Sequence, residues 1–289
     1  MRPPSRKKLG FTLVELVAVT SIVSVGLSLA LPGIQKVRNQ ARLASCKNNL
    51  KQLGLALHNY HDVYTRFAPG WIIKQTKADA GPGFGWGTSI LPFLDQAPLY
   101  SQVNFNEPEK LDAVGQVVIP AYLCPEDTAA PLNSIRGKFA ISNYSASSGD
   151  QLLPGSVDLP DPGTEAARKL STGLFFHNSS VGLRDITDGA SNVFMIGEKS
   201  VKSAAGIWVG VRSNQNAGDS VTDCNHRSKL NSVIDSYSSL HGGGANFLMA
   251  DGAVRFVADT IDSKESTNKP NGLYQKLAHK SDGQALEEF

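Results

Sequence analysis

The chain has 289 residues, enough for one large domain or two small ones. Its 28 basic and 26 acidic residues nearly balance, and removing residues 1–10, with their four basic side chains, changes the net charge from +2 to −2. This composition excludes a strongly basic protein, so no nucleic-acid partner is expected. The 27 glycines and 15 prolines indicate many turns and therefore a β-rich body.

An almost uninterrupted apolar run extends from Phe11 to Leu31, directly after the basic segment 1–10. As a helix this run would be about 31 Å long, which matches the hydrocarbon core of a bilayer. Its one charge is Glu15. A carboxylate at the centre of a membrane span costs roughly 2.5 to 3.5 kcal/mol, so it indicates a function and requires a partner. Cleavage after Gly10 would supply one, the positive α-amine of Phe11, one helical turn from Glu15.

The order of basic leader, glycine, phenylalanine, acid and apolar span resembles the processing site of type IV prepilins and type II secretion pseudopilins. The resemblance implies that prepilin peptidase cuts between Gly10 and Phe11 and methylates the new amine of Phe11. It also implies that Glu15 acts in subunit assembly, with inner-membrane lipid and other pilin-like subunits as partners. The alternative is an ordinary secretory signal, because Ser28-Leu29-Ala30 fits a small-x-small cleavage site.

Pro32-Gly33 predicts a kink, after which helical periodicity resumes to near His61. One face of this outer half is an apolar stripe, and the other face is basic. The stripe consists of Leu43, Cys46, Leu50, Leu53, Leu57 and Tyr60, and the basic face of Lys36, Arg38, Arg42, Lys47 and Lys51. We expect the stripe to pack on a sheet. The basic face is open to three interpretations: a solvated surface, a contact with anionic headgroups, or a contact with acidic surfaces of neighbouring subunits.

After Asp62, short apolar runs alternate with clusters of turn residues. Strands are predicted at Val117–Ile119, Phe139–Tyr144, Val193–Gly197 and Gly206–Val211, a strand or short helix at Trp86–Leu94, and long loops at 145–172 and 212–237. The fold class predicted is α+β and type IV pilin-like, a long N-terminal helix packed on an antiparallel sheet. Its parts are a leader at 1–10, a membrane-spanning segment at 11–31, the outer helix at 32–62, a β-rich head outside the inner membrane at 63–278 and a loose tail at 279–289.

The sequence from His241 to Val257 contains two apolar strands flanking Asp251-Gly252, which predicts a hairpin. A histidine, nine residues, then Asp-Gly resembles the C-terminal signature of a large family of prepilin-like proteins of unknown function. Other stretches resemble the same family: 46–62, 90–96, 123–125, 185–192 and 197–198. The resemblance implies fold and export route, with His241, Asp251, Gly252, Asp188 and Asn192 as signature residues, and implies no biochemical activity.

Three cysteines allow at most one internal bridge in an oxidising compartment. The preferred pair is Cys124 and Cys224, and the alternative is three unbridged thiols. No Cys-x-x-Cys pair occurs, so a zinc ribbon is excluded and no metal site is predicted.

Local chemistry offers further alternatives. Asp185-x-x-Asp188-Gly faintly resembles part of a calcium loop, but turn and capping roles are preferred, with Ser191 or Asn192 satisfying backbone groups and Glu198 pairing with a buried base or amide. His58 and His61 could form a metal pair or simply favour the helix C-terminus. No cofactor is therefore predicted, with calcium as the alternative.

Three functions remain. The first is a membrane-held, pseudopilin-like structural subunit. The second is an anchored module that binds a glycan or other surface polymer through exposed aromatics such as Trp71 or Trp86. The third is a hydrolase built on His241 and Asp251, which no Gly-x-Ser-x-Gly motif supports. The first is preferred, so no enzymatic activity is predicted.

Overall fold

The computed structural model describes residues 12–73, 81–150, 171–232, 234–265 and 270–284. Among them, helix α1 (Leu13–Tyr64) is followed by four short helices: α2 (Trp86–Ser89), α3 (Ala97–Tyr100), α4 (Leu111–Gly115) and α5 (Leu273–Ala278). The chain divides into two compact units, residues 1–44 and residues 45–289. The predicted α+β class is confirmed at this level.

The strands of the described residues form three sheets. Their bounds are β1 (Trp71–Ile72), β2 (Gly83–Gly85), β3 (Leu132–Asn133), β4 (Phe139–Ser142), β5 (Tyr144–Gly149), β6 (Phe194–Glu198), β7 (Gly206–Ile207), β8 (Gly210–Val211), β9 (Val221–Asp223), β10 (Gly244–Met249) and β11 (Val254–Ala258). The strand orders are β1-β2-β8, β3-β4-β7 and β11-β10-β6-β5-β9. All pairs are antiparallel except β5 and β9, which are parallel.

Strand β10 of the five-stranded sheet is buried on both faces. Ala245, Phe247 and Met249 belong to one apolar cluster, which also contains Tyr274 of α5. Leu248 points the opposite way, into the cluster that contains Leu53 of α1. Successive side chains of a strand point to opposite faces, so β10 is covered by α1 on one side and by α5 on the other.

The apolar stripe of α1 is confirmed from Cys46 to Tyr60, whereas Leu43 is only partly buried and belongs to neither core cluster. Cys46, Leu50, Leu53 and Leu57 are fully buried in the larger core cluster, with Tyr60 packed against it. At Gly54, a Cβ atom would lie 2.8 Å from a methyl group of Leu248, so the missing side chain allows the helix to approach β10 closely. Helix α1 continues through Pro32, and the kink predicted there stays a prediction.

Several predicted elements differ from the structure. Val117–Ile119 forms no strand: it follows α4, and Val117 and Val118 are exposed. The segment 212–237 contains a 3₁₀ helix at Asn214–Asp219 and strand β9. Residues 145–149 belong to β5, and residues 151–170 of that predicted loop lie outside the described part. At Trp86–Leu94, by contrast, the predicted alternative of a short helix is confirmed, with α2 followed by a 3₁₀ turn at Leu91–Leu94.

Candidate functional site

The first described residues form a capping box at the start of α1. Glu15 Oε2 accepts hydrogen bonds from the Thr12 backbone N–H at 2.9 Å and from the Thr12 hydroxyl at 2.8 Å. In return, the Glu15 N–H donates to Thr12 Oγ1 at 3.3 Å. This reciprocal arrangement satisfies helix-terminal donors that have no partner within the helix. Gly10 and Phe11, the predicted cleavage and methylation residues, lie outside the described part.

The capping box gives Glu15 hydrogen bonds but no opposite charge. Both donors are neutral and both bind Oε2, while Oε1 accepts no hydrogen bond and forms no ion pair within the described ranges. The carboxylate therefore retains one oxygen for a further donor.

The helix that follows Glu15 exposes its apolar side chains. Leu13 is 79% exposed and Ile22 is 73% exposed, although both are large and apolar. The hydroxyl groups in the same stretch donate to carbonyl oxygens of the helix itself: Thr20 to Leu16 at 3.0 Å and Ser21 to Val17 at 2.8 Å. Within the described residues, no helix has a stretch that is both long and apolar enough to cross a membrane.

The body contains a disulfide between Cys46 of α1 and Cys124, with Cα atoms 5.0 Å apart. The predicted pairing of Cys124 with Cys224 is therefore wrong. Cys224 is a free, buried thiol in the apolar cluster that contains Phe247 and Tyr274, and Cys46 belongs to the other cluster. The partner was missed because 78 positions separate Cys46 from Cys124, and only the packing of α1 on the sheet brings them together.

A buried histidine and glutamate lie against this disulfide. His241 Nε2 is 3.7 Å from Cys124 Sγ and 3.5 Å from Glu198 Oε1, and the side chains of His241 and Glu198 are only 7% and 3% exposed. Glu198 also accepts hydrogen bonds from the Asn246 backbone N–H at 2.8 Å and from Asn246 Nδ2 at 3.0 Å. The predicted pairing of Glu198 with a buried amide is confirmed.

One atom from each of Cys46, Cys124, Glu198 and His241 lies within 4.8 Å of the other three, a spacing that could hold a metal ion. This group could not be predicted from ligand spacing, because its members are far apart in the chain. Here the ligands come from α1, a loop, the end of β6 and the segment before β10.

A groove of about 380 Å³ opens beside the disulfide. Apolar and proline residues line most of it, including Pro120, Pro125 and Pro131. Its lining also includes polar residues, among them Asp127, whose Oδ2 accepts hydrogen bonds from Asn143 Nδ2 and from the Val201 N–H, both at 2.8 Å. Cys124 lines this groove and also a smaller cavity next to Glu198.

The predicted hairpin is confirmed, with β10 paired to β11 and Leu248 opposite Val254. Asp251 Oδ1 accepts a hydrogen bond from the Ala253 N–H at 2.8 Å, and Gly252 has a φ of +85°, which favours glycine. His241 precedes β10 and Asp251 follows it, so roughly 20 Å of strand lies between them. A hydrolase site built on this pair is not formed.

Two other signature residues, Asp188 and Asn192, belong to a hydrogen-bonded group that includes the backbone of Asp282 and Gly283. Asp188 accepts backbone hydrogen bonds from Asp282 at 2.5 Å and Gly283 at 3.0 Å, and Asn192 Nδ2 donates to the Asp188 carbonyl at 3.0 Å. The capping role predicted for Asn192 is confirmed. Residues 279–284 are therefore bound to the body, which corrects the loose tail predicted from residue 279, while residues 285–289 lie outside the described part.

Ligand atoms of Asp188, His279 and Asp282 also lie within 4.8 Å of one another, which leaves the calcium alternative a prediction. Burial raises the pKa of the Asp282 carboxyl, and so does the neighbouring Asp188. Asp185 is not part of this group: its carboxylate accepts a hydrogen bond from the Gly182 N–H at 2.8 Å.

His58 and His61 share no metal-ligand group among the described residues. His61 Nε2 accepts a hydrogen bond from the Leu183 N–H at 3.3 Å. The ring of His58 packs edge-on against Phe67, with centroids 5.7 Å apart, and burial lowers its pKa. Each ring thus has a separate packing role at the end of α1.

An ionic network, buried except at Asp235, was not foreseen from the sequence. The Arg136 guanidinium pairs with Asp219 and Asp235, and Lys199 Nζ lies 2.9 Å from Asp235 Oδ1 and 3.0 Å from the Gly218 carbonyl oxygen. Burial lowers the pKa of Lys199 to about 8. The members are far apart in sequence, so their pairing depends on the completed fold.

The aromatic residues expected to bind a polymer are buried. Trp71 is 3% exposed and stacks on His177, and Trp86 is 2% exposed with its indole N–H donating to the Ser220 carbonyl at 2.9 Å. Neither ring offers an exposed stacking face, so the expectation that they form a binding platform is wrong.

Comparison with protein families gives two matches. Residues 35–264 match the family described as "Protein of unknown function (DUF1559)", and residues 5–31 match the "Prokaryotic N-terminal methylation motif". No curated protein and no solved structure matches significantly. The resemblance to prepilin-like proteins is confirmed, whereas the signature of His241 and Asp251-Gly252 stays a prediction. The chain belongs to the DUF1559 family of proteins of unknown function and carries the N-terminal methylation motif of pilin-like proteins.

Proposed function

We propose that this protein is a membrane-anchored structural subunit, processed by prepilin peptidase, of a type II secretion or type IV pilus-like assembly. The observation that carries the proposal is the methylation motif at residues 5–31, which includes the start of α1, where large apolar side chains are exposed. An exposed apolar helix surface indicates a binding partner outside the chain. Bilayer lipid before assembly and the helices of neighbouring subunits afterwards would both serve.

In this proposal residues 11–31 cross the inner membrane once, with the basic leader on the cytoplasmic side and the body outside. The hydroxyl groups of Thr20 and Ser21 support it, because they donate to carbonyls of their own helix. Lipid offers no hydrogen-bond partners, so a polar side chain within it must be satisfied by the protein.

Glu15 is the assembly residue of the proposal. Its Oε2 is held by Thr12, which fixes the carboxylate at the start of the helix with Oε1 available. Cleavage after Gly10 would create a positive α-amine on Phe11, the residue before Thr12. In an assembly, the amine of a neighbouring subunit would then neutralise a carboxylate that is expensive to leave charged and unpaired in lipid.

Mass spectrometry of the membrane-extracted protein tests the processing step. We expect the mature chain to begin at Phe11 and to carry an N-methyl group, and Gly10→Val to leave the leader attached. Native material that begins at Met1, or at Leu31 after signal cleavage, would contradict the proposal.

Incorporation of variants into filaments tests the assembly step. Glu15→Ala should be processed normally but fail to assemble, because the neighbour's amine would lack its counter-charge. Asp62→Ala is the matched control: Asp62 is an exposed acid near the other end of the same helix, and its loss should change neither step. Normal incorporation of Glu15→Ala would refute the assembly role.

One observation favours a second function, an anchored module that binds a surface polymer. The groove beside the disulfide is large enough for part of an extended ligand and has Asp127 in its wall. A glycan array probed with the full chain in detergent tests this alternative. Binding that is lost in Asp127→Ala would support it, and no binding at all would leave the structural role as the function.

A further inference from the structure

We propose that Cys46, Cys124, His241 and Glu198 form a zinc site when the disulfide between the two cysteines is reduced. The body would then have two mutually exclusive states at this position, one closed by a sulfur–sulfur bond and one closed by Zn²⁺. The inference does not depend on the proposed function, because it concerns only side chains of the body.

The donor set is one that zinc accepts. Structural zinc sites are tetrahedral and use thiolate, imidazole and carboxylate ligands at roughly 2.0 to 2.3 Å, so neighbouring ligand atoms lie about 3.3 to 3.8 Å apart. His241 Nε2 already lies 3.7 Å from Cys124 Sγ and 3.5 Å from Glu198 Oε1. The four ligand atoms all fall within 4.8 Å of one another. The two sulfur atoms must separate, and reduction removes the bond that holds them together.

The surrounding residues already hold the ligands in place. The backbone N–H and the side-chain amide of Asn246 both donate to Glu198, which fixes the orientation of its carboxylate. Cys46 is anchored in the buried stripe of α1. Outer partners that orient the ligands in this way strengthen metal binding. An ion or a reductant could reach the site through Cys124, since that residue lines both the groove and the smaller cavity.

The reaction balances with an external dithiol as reductant. A thiolate of the dithiol attacks one sulfur of the disulfide, releases the other cysteine as a thiolate and forms a mixed disulfide. The second thiolate of the dithiol then displaces the remaining cysteine. Two electrons pass to the protein, which holds two thiols after proton uptake, and the dithiol becomes a cyclic disulfide. Zn²⁺ binding releases both thiol protons, and its two positive charges offset two of the three ligand anions.

The test measures zinc binding by the full chain in detergent, once as the native disulfide and once after reduction with a phosphine. We expect about one Zn²⁺ per reduced chain and none per oxidised chain. Zinc should also protect Cys46 and Cys124 from alkylation. Co²⁺ in place of Zn²⁺ should produce a thiolate-to-metal charge-transfer band, which reports sulfur ligation directly.

Variants separate a built site from adventitious binding. His241→Ala and Glu198→Gln should each weaken zinc binding by roughly tenfold or more. Cys224→Ala is the matched control, since this buried thiol lies in the other apolar cluster and should leave the stoichiometry unchanged. Circular dichroism of each reduced protein shows whether the body is folded.

Three outcomes would overturn the inference. The first is a reduced, folded chain that binds no zinc. The second is unaltered binding when Cys46→Ala removes one ligand. The third is unfolding of the body on reduction even when zinc is present, because the ligands would then have no common position.

Discussion

Both halves of α1 contain similar apolar residues, but those described near its start are exposed, whereas those in the second half are buried. Near the start, Leu13, Leu16 and Ile22 are exposed, whereas in the body Leu50, Leu53 and Leu57 are fully buried. The first half satisfies its hydroxyl groups with its own carbonyls, and the second half is crosslinked to the body through Cys46. The hydrophobicity of a helix face therefore does not by itself predict whether that face packs against its own chain. The second half packs against its own chain, whereas the apolar side chains described near the start of the first half are exposed.

The largest loss of stability is expected when the disulfide that crosslinks the second half of α1 to the body is removed. The disulfide closes a loop with a sequence separation of 78, so Cys46→Ala should lower the free energy of unfolding of the body by about 4 to 5 kcal/mol in the chain-entropy model. Chemical denaturation of the full chain in detergent measures this. A loss below about 1 kcal/mol would mean that packing alone holds this half of the helix.

The next prediction compares the loss of stability that a leucine-to-alanine substitution causes in each half of α1. Leu53→Ala should cost about 2 to 5 kcal/mol, because it leaves a cavity between α1 and β10. Leu16→Ala, the same change at an exposed position, should alter unfolding of the body by no more than about 0.5 kcal/mol. The comparison would fail if both variants destabilised the body equally.

A smaller effect is expected beside the disulfide. Asn246→Ala removes the Nδ2 amide that donates to both oxygens of the buried Glu198 carboxylate, while the backbone N–H stays, and should cost about 1 to 3 kcal/mol, the penalty for an unsatisfied buried group. The double variant with Glu198→Ala should cost less than the two single changes added together, since the acid is then absent. Strict additivity in this cycle would show that the two side chains act separately.

The smallest effect is a pH dependence of the body. Burial lowers the pKa of His177 below its ordinary value of 6.5. Below about pH 6.5 the unfolded chain binds a proton at this position that the folded chain does not, so the unfolding free energy should fall as the pH falls. His177→Gln should reduce that slope, measured between about pH 7.5 and 5.5. A slope that is unchanged in the variant would assign the effect to other groups.

Sequence patterns predicted the features that depend on neighbouring residues. The periodicity of α1, the Asp251-Gly252 hairpin and the capping role of Asn192 all belong to this class. They could be foreseen because helix and turn chemistry acts over three or four positions.

Features that depend on distant residues were missed. The partner of Cys124 lies 78 positions away, and Arg136 pairs with an aspartate 83 positions away. Val117–Ile119 is β-branched but exposes two of its side chains, so local preference without a sheet partner produced no strand. The group formed by Cys46, Cys124, Glu198 and His241 was missed because its members come together only in the folded body.

The position of the Cys46–Cys124 bond has a mechanical consequence. Cys46 lies two residues beyond the point where the chain divides, and it precedes Leu50, Leu53 and Leu57 along α1. Tension pulling on the helix from its N-terminal end would therefore pass into the body through a covalent link before it reached these three leucines. The packed interface that follows the disulfide along the chain would be shielded from the load, so the body could bear force without losing the packing of its helix on its sheet.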